Sequence, residues 1–582
     1  MRTDRHDRRA TGIGALALAF GILLLAPRGA QAQATGGITG VVTDDSGAVL
    51  PGATVTATSQ ATNQVRTATS GSDGFYALPL LPPGLYNVAA SLGGFAPLTR
   101  EGVRVTVAET ARVDLSLKVG QVAETVVVQA DAPLVETTNA TLGIVIDEQK
   151  VVDLPLNGRN FTQLGTLIPG VVAPPPGLGG QAGDATPGGF GAVTAGFNVN
   201  GMRNQSNNFL IDGTTNNDTF NTGFVLRPPP DAIQEFKILT HSYNAEYGRN
   251  AGSVVTLVTR SGSNEWHGAA WEFNRDDALQ ARNFFAPANQ PKPVLKQNQF
   301  GASLGAPLAR NKLFAFGYYE GYRNQSGITQ TLVVPTEAQR RGDFSGGAAV
   351  RDPLTGQPFA GNVIPARRLD PIALQLLNDF VPLPNVPPNR YTASPTVEDD
   401  RDQAGLRLDY RLTERHSILA RYLWSHSNRA TPRTVQAADQ LAKATLQDAM
   451  VGDTHMFSAR AINVARFSFN RIYANPQVTS GRQNSEYGIN LPNTNPLAVG
   501  LPSIAVAGFF TGATSLGDPQ QPFVERVNNV FQFTDDFTYL TGRHSWKFGL
   551  DVRREQMKIA FINRPNGDIT FAGSITGNAL AD

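Results

Sequence analysis

The second half of this chain is built from stretches in which apolar and polar residues alternate strictly. His544, Trp546, Phe548, Leu550 and Val552 share one face, with Ser545, Lys547, Gly549, Asp551 and Arg553 on the other. Leu406, Leu408, Tyr410 and Leu412 alternate in the same way with Arg407, Asp409 and Arg411. Between Gly268 and Arg554 about nine such stretches of roughly ten residues occur. A period of two belongs to a strand with two unlike faces. About ten residues is also the length at which a tilted strand crosses a bilayer. The connections alternate as well. Those at 309–311, 413–415, 458–460 and 541–543 are short, whereas 276–296, 324–401, 427–443 and 472–528 are long and polar. These features predict an antiparallel transmembrane sheet with tight turns at one end and long loops at the other. A soluble sandwich is the competing fold, but connections of fifty residues or more between hairpin partners are foreign to compact domains.

An internal echo places two of the short turns in equivalent positions: Leu412-Thr413-x-Arg415-His416-Ser417 and Leu540-Thr541-x-Arg543-His544-Ser545. Phe314, Phe316, Tyr318, Tyr422, Trp424, Phe467, Phe469, Trp546 and Phe548 suit lipid-facing or interfacial positions on such a sheet. Asp399, Asp400, Arg401 and Asp402 form an acidic cluster expected just before a strand, as a hydrated loop end.

Composition narrows the function classes. A net charge of +1 offers no basic excess to neutralise phosphates, which argues against a nucleic-acid partner. The chain has no Cys, and so no disulfides, thiolate metal sites or lipoprotein anchor. Its seven His are scattered without metal-ligand spacing, and neither a G-x-S-x-G elbow nor a Cys nucleophile occurs. No enzyme, cofactor or metal is therefore expected. The Gly-rich run 176–197 is no phosphate loop, because the chain contains no Gly-Lys pair; it reads as a loop.

Residues 1–32 read as an export signal. Arg2, Arg5, Arg8 and Arg9 precede a fourteen-residue apolar run from Ile13 to Ala26, and Ala30-Gln31-Ala32 supplies a small-x-small cleavage pattern. The run is short for a membrane helix. Residues 35–119 follow as short Val- and Thr-rich strands separated by turns at Asp45-Ser46-Gly47, Ser72-Asp73-Gly74 and Pro82-Pro83-Gly84, the pattern of a small sandwich. The run Gly40-x-Val42-x-Asp44, Leu50-Pro51-Gly52-Ala53-x-Val55, Asp73-Gly74-x-Tyr76 and Pro83-Gly84-x-Tyr86 resembles the carboxypeptidase regulatory-like domain. That resemblance implies a non-catalytic, transthyretin-like sandwich of seven strands.

Residues 120–261 carry the sharpest motifs. Glu124, Thr125, Val126, Val127 and Val128 form a β-branched segment that resembles a TonB box, which would pair as an added strand with the energy-transducing protein TonB. An ordinary edge strand continuing the sandwich is the other reading. Leu154, Pro155, Leu156, Asn157, Gly158 and Arg159 come next. They are followed in order by Asn200, Gly201 and Arg203, by Asp212 and Gly213, by Asp231, Glu235 and Phe236, and by Glu246, Tyr247 and Gly248. The order and spacing closely resemble the plug of TonB-dependent outer-membrane receptors, in the Oar-like group that places a regulatory-like module ahead of the plug. The Asn-Gly and Asp-Gly pairs are turn formers in their own right. Arg159, Arg203, Asp231, Glu235, Glu246 and Arg249 are candidates for an ion network between plug and barrel, across a seam expected to be polar and wet rather than dry and apolar.

The resemblance implies a mainly β protein: signal peptide, sandwich, α/β plug, and from 262 to 582 part of a large transmembrane barrel. It further implies the outer membrane as location, lipid and the TonB complex as partners, and a scarce small ligand, glycan or peptide as cargo. Adhesion or protein export on the same fold is an alternative, as is a secreted polysaccharide-binding β-protein. Nine strands fall short of the twenty-two or so of large outer-membrane transporters, so the expectation is an N-terminal piece of a longer receptor.

Overall fold

The computed structural model describes residues 35–120, 126–129, 142–173, 197–220, 223–282, 292–327, 329–432, 440–477, 482–491, 500–510, 516–517, 523–542 and 544–582. Residues 1–32, expected to be an export signal, together with Glu124, Thr125 and nearly all of the run 176–197, lie outside them. The fold is mainly β, with an α/β plug and a partial barrel.

The N-terminal module is a sandwich. One sheet pairs Phe75–Leu81 with Gly36–Asp44, which in turn pairs in parallel with Thr110–Arg112 and Leu115–Leu117. The other runs in the order Val65–Thr69, Thr54–Ser59, Gly84–Ser91, Leu98–Val105. Alternation along these strands sends Ile38, Val42, Val55, Tyr76, Val88, Leu115 and Leu117 into one core. Close packing explains Gly40: a Cβ there would lie 1.9 Å from the Val113 carbonyl oxygen. The segment Val126–Gln129 is a further strand of the second sheet, pairing in parallel with Leu98–Glu101 at its edge.

The plug sheet runs in the order Leu142–Asp147, Ile233–His241, Val254–Thr259, Asn208–Ile211, Thr214–Thr215. Val254–Thr259 is buried along its whole length and pairs in parallel with Asn208–Ile211, which accounts for two mainly apolar runs without polar alternation. The helix Glu148–Asp153, capped by the Asp147 carboxylate, and the 3-10 turn Phe161–Leu167 cover this sheet. Phe161, Phe209, Phe224 and Phe236 meet beneath them.

Among the described residues nine strands form the barrel sheet, each antiparallel to its chain neighbour: His267–Asp276, Leu295–Ala309, Leu313–Gly327, Thr396–Thr413, His416–Thr431, Gln440–Ser458, Ala461–Gln477, Phe523–Thr541 and His544–Ile562. They run from 10 to 19 residues, longer than the alternation implied. The added length is paired on both sides in the interior strands, so the ladder simply continues beyond the alternating stretch. The cluster Asp399 to Asp402 consequently sits inside a strand, with Asp399 bound to Arg401 and Asp402 bound to Arg323 and Tyr319.

Register decides which face each residue takes. Tyr422, Trp424, Phe467, Phe469, Trp546 and Phe548 alternate with inward residues that bond the plug or lie buried against it, and so point outward. Phe314, Phe316 and Tyr318 do not. They share a face with Glu320, which bonds the plug, so they point inward; Phe314 and Phe316 are buried and Tyr318 packs on the plug core. Alternation gives two faces but does not label them, and a large inward aromatic is allowed where a plug fills the lumen.

The long loops are more than polar excursions. Leu332, Val334, Leu376, Val381, Tyr487, Leu501, Ile504, Phe510 and Leu516 form a separate apolar core at the long-loop end. It draws on 329–395 and 482–517 and is joined by Asp568–Phe571, which pairs with Ser503–Val506. The helix Pro371–Phe380, N-capped by Asp370, packs Leu376 into it. The sandwich lies at the opposite, short-turn end: Asn63 Nδ2 donates to Asn311 Oδ1 at 3.1 Å and Arg66 Nη1 to the Glu414 carbonyl at 3.3 Å.

Phe467→Arg, on the outward face of an interior strand, is expected to lower the stability of the lipid-embedded sheet by about 2–4 kcal/mol. Urea titration in lipid vesicles measures this. An outward Phe469→Leu change should cost far less.

Candidate functional site

The plug meets the inner face of the barrel sheet across a seam of buried charges. At its centre is Asp212, on the tight turn between Asn208–Ile211 and Thr214–Thr215. This turn requires positive φ at two successive residues, 45° at Asp212 and 82° at Gly213, a pattern that Asp-Gly supplies at low cost. Asp212 Oδ2 accepts from Arg421 Nη1 at 2.6 Å, and Oδ1 lies 3.4 Å from Arg407 Nη1. The Thr259 N–H and hydroxyl supply two further bonds, at 2.9 and 2.8 Å. Burial by itself would raise the Asp212 carboxyl. The two guanidiniums and the Thr259 N–H outweigh it and hold the group below the ordinary carboxylate range. Arg421 bridges onward to the buried Asp448, and Arg407 to Asp409 at 2.8 Å. Arg466 lies against Gly213, where a Cβ would come within 2.9 Å of its Nη1, and neither of its Nη atoms has a hydrogen-bond partner.

Other ion pairs extend the seam. Arg159 binds Asp231 within the plug and reaches Glu320 of the barrel at 3.3 Å, its guanidinium lying over Trp271 and Phe273. Asp218 receives both Nη atoms of Arg526, at 2.9 and 3.3 Å. Lys547 Nζ is 3.0 Å from Glu246, and Arg249 is 3.0 Å from Glu555. A neutral bond joins them: the Thr215 N–H donates to Gln532 Oε1 at 2.8 Å.

Of the six residues expected in a plug–barrel network, Arg159, Glu246 and Arg249 reach the barrel directly and Asp231 does so through Arg159. Arg203 is exposed. Glu235 faces the sandwich instead, accepting the Val107 N–H while its strand neighbour Lys237 binds Glu109 at 2.8 Å. Burial above all pushes the Glu235 carboxyl up to about 8; Glu109 adds to this, while the Val107 N–H, Lys237 and Arg104 oppose it.

The remaining motif residues serve local structure. Leu154 and Leu156 pack against the plug core, Phe236 is within it, and Pro155 is exposed. Gly158 has φ 64° in the 3-10 turn that begins at Asn157. Asn200 and Gly201 make a positive-φ turn in which Asn200 Nδ2 donates to the Thr240 carbonyl at 3.2 Å. Tyr247 packs edge-on to Tyr243, and Gly248 faces open space.

The expectation of a polar, wet seam fails in part. Leu423, Ala444, Leu446, Ile472 and Ala474 point inward and join the plug core, so apolar contact interleaves with the ion pairs; Arg526, which binds Asp218, lies directly beside Ala474 on the neighbouring strand. Arg407, Arg421, Asp448, Arg466, Arg526 and Lys547 were not singled out from sequence. A signal existed for Arg421, a lone charge in Ile418-Leu419-Ala420-Arg421-Tyr422-Leu423-Trp424. A charge in a strand that crosses lipid must face the lumen.

Comparison with known proteins agrees with this geometry. Residues 258–582 match the outer membrane beta barrel domain, residues 37–118 the carboxypeptidase regulatory-like domain, and residues 137–255 the TonB-dependent receptor plug domain. The chain belongs to the TonB-dependent outer-membrane receptors, a family of transporters. It is 28% identical over 297 residues to the TonB-dependent transporter Oar of Myxococcus xanthus, covering 48% of this chain and 26% of that protein. It is 36% identical over 92 residues to the ferrienterobactin receptor of Escherichia coli K12, covering 16% and 10% respectively. The outer membrane transporter YddB of Escherichia coli superposes with a TM-score of 0.46 at 10% identity, over 72% of this chain and 48% of that one. The chain thus spans about a quarter of the first relative's length.

Asp212→Asn leaves Arg421 and Arg407 short of a counter-charge inside the lumen, which is expected to cost about 3–5 kcal/mol. Hydrogen exchange at the Asn208–Ile211 amides should accelerate accordingly. Glu235 gives a second prediction. Its carboxyl is raised in the folded state, so its contribution to sandwich docking is complete below pH 4.5 and lost as pH rises through about 8. Protection of the Val107 amide, followed across that window, should fall with pH, and Glu235→Gln should flatten the slope.

Proposed function

We propose that this chain carries the capture and gating parts of an energised outer-membrane transporter. The apolar-cored lobe at the long-loop end faces the exterior and binds a scarce ligand, while TonB, engaging Glu124 to Val128 from the periplasm, moves the plug. Residues 1–32 direct export and are removed near Ala32. The functional units divide at 119/120 and 261/262. The observation that carries this reading is the charged seam, with plug acids Asp212, Asp218 and Glu246 on barrel bases Arg421, Arg526 and Lys547. Such contacts fix one seating of the plug, and a pull that lets water reach the separated charges is needed to release them. A domain held by apolar packing alone would lack this defined seating. The ligand class stays open, since one fold serves many cargoes.

Deleting Glu124 to Val128 from the full-length receptor is expected to abolish capture by the immobilised periplasmic domain of TonB and to leave the protein in the outer-membrane fraction. Undiminished capture sinks the proposed role of the segment. Recovery of the unaltered receptor in the soluble fraction sinks the transporter reading itself.

A further inference from the structure

We propose that the N-terminal sandwich is a second gate: it closes the periplasmic mouth of the barrel and is drawn aside before the plug moves. The inference rests on the reading that TonB pulls on the segment around Val126.

Three observations carry it. First, the sandwich is fastened to both other parts at the short-turn end. Besides the Asn63–Asn311 and Arg66–Glu414 bonds, the Thr62 carbonyl accepts from Arg411 Nη2 at 3.3 Å and the Ala61 carbonyl from the Asn264 N–H at 2.9 Å. Leu80 packs on Ile462 and Val464 of the barrel, while Val107 and Glu109 bind the plug strand through Glu235 and Lys237. Apart from Leu80 these attachments are polar, so each can be exchanged for water.

Second, this docking leaves a partly open space between the three parts. A cavity of about 1150 Å³ lies between the three parts, lined by Arg66 and Tyr86 of the sandwich, Gln234 and Arg260 of the plug, and Arg407 and Thr454 of the barrel. That volume is somewhat above the roughly 300–1,000 Å³ typical of small-molecule pockets, room enough for a solute in transit. A solute passing the plug would enter this vestibule and would still have the sandwich between it and the periplasm.

Third, the pulled segment is tied to the sandwich more closely than to the plug. Val126–Gln129 is itself a strand of the sandwich sheet, paired with Leu98–Glu101. Even with that pairing broken, only eight residues, 118–125, separate it from Leu115–Leu117, whereas twelve, 130–141, separate it from Leu142–Asp147. Fully extended, these spans reach about 30 Å and about 45 Å. Tension therefore reaches the sandwich first.

The test uses the full-length receptor in cells. The natural chain has no Cys, so Ser417→Cys in the vestibule wall is a single reporter for a bulky, membrane-impermeant maleimide supplied from the periplasm. Labelling should be slow when TonB is absent and at least tenfold faster when TonB is energised. Arg66→Ala with Asn63→Ala should raise it without TonB. Joining Asn63→Cys to Asn311→Cys with a short bis-maleimide beforehand should leave a subsequently unmasked reporter slow even with TonB. Fast labelling in the resting receptor, or a rate indifferent to loosening and cross-linking, overturns the gate. A second reporter, Thr214→Cys in the plug seam, separates the two ideas. If it responds to TonB while the vestibule reporter does not, the gate fails and the receptor reading survives. If neither responds, both fail.

Discussion

A carboxylate with 4% exposure, such as Asp212, is tolerable only where charge and hydrogen bonds replace the water it has lost. Arg421 and Arg407 come from two adjacent barrel strands, and Thr259 from the plug's own sheet. Satisfying Asp212 thus requires the barrel strands in register and the plug seated at one height and angle. Arg421 carries the same requirement to Asp448 on the next strand. The remaining ion pairs repeat this logic around the seam. Each is a modest contribution to stability, but together they exclude other seatings, because a displaced plug would bury unpaired charges.

The apolar contacts of the seam have a different role. Leu423, Leu446 and Ile472 extend the plug core onto the barrel and give non-directional adhesion that tolerates small shifts. Interleaved along the seam, ion pairs position the plug and apolar contacts hold it. At the short-turn end the sandwich adds a further layer, attached largely by polar bonds.

Much of the architecture was legible because the bilayer permits so few solutions. Strict alternation and the phase of short and long connections led to the sheet and its polarity, whereas the plug was legible only through the resemblance of its ordered motifs to a known family. Legibility ended where one residue's role depends on a partner far away in the chain. Glu235 and Glu246 are alike as local sequence, yet one faces the sandwich and the other reaches a barrel lysine. Phe316 and Phe467 both alternate with small or polar neighbours, yet they lie on opposite faces. The lobe leaves no sequence signal, because its core residues are spread over 329–395, 482–517 and 568–571, with no periodic run long enough to mark a domain.

The sequence by itself therefore determined the period of the strands, their number between Gly268 and Arg554 and the tight turns, all set by short-range sterics and by the need to satisfy the backbone in lipid. Tertiary structure alone decided which face looks inward, which acid meets which base, and that Val126–Gln129, overlapping the candidate TonB segment, rests as an edge strand of the sandwich. These outcomes depend on register between segments hundreds of residues apart, and a one-residue slip in a strand exchanges its two faces while leaving the sequence pattern unchanged.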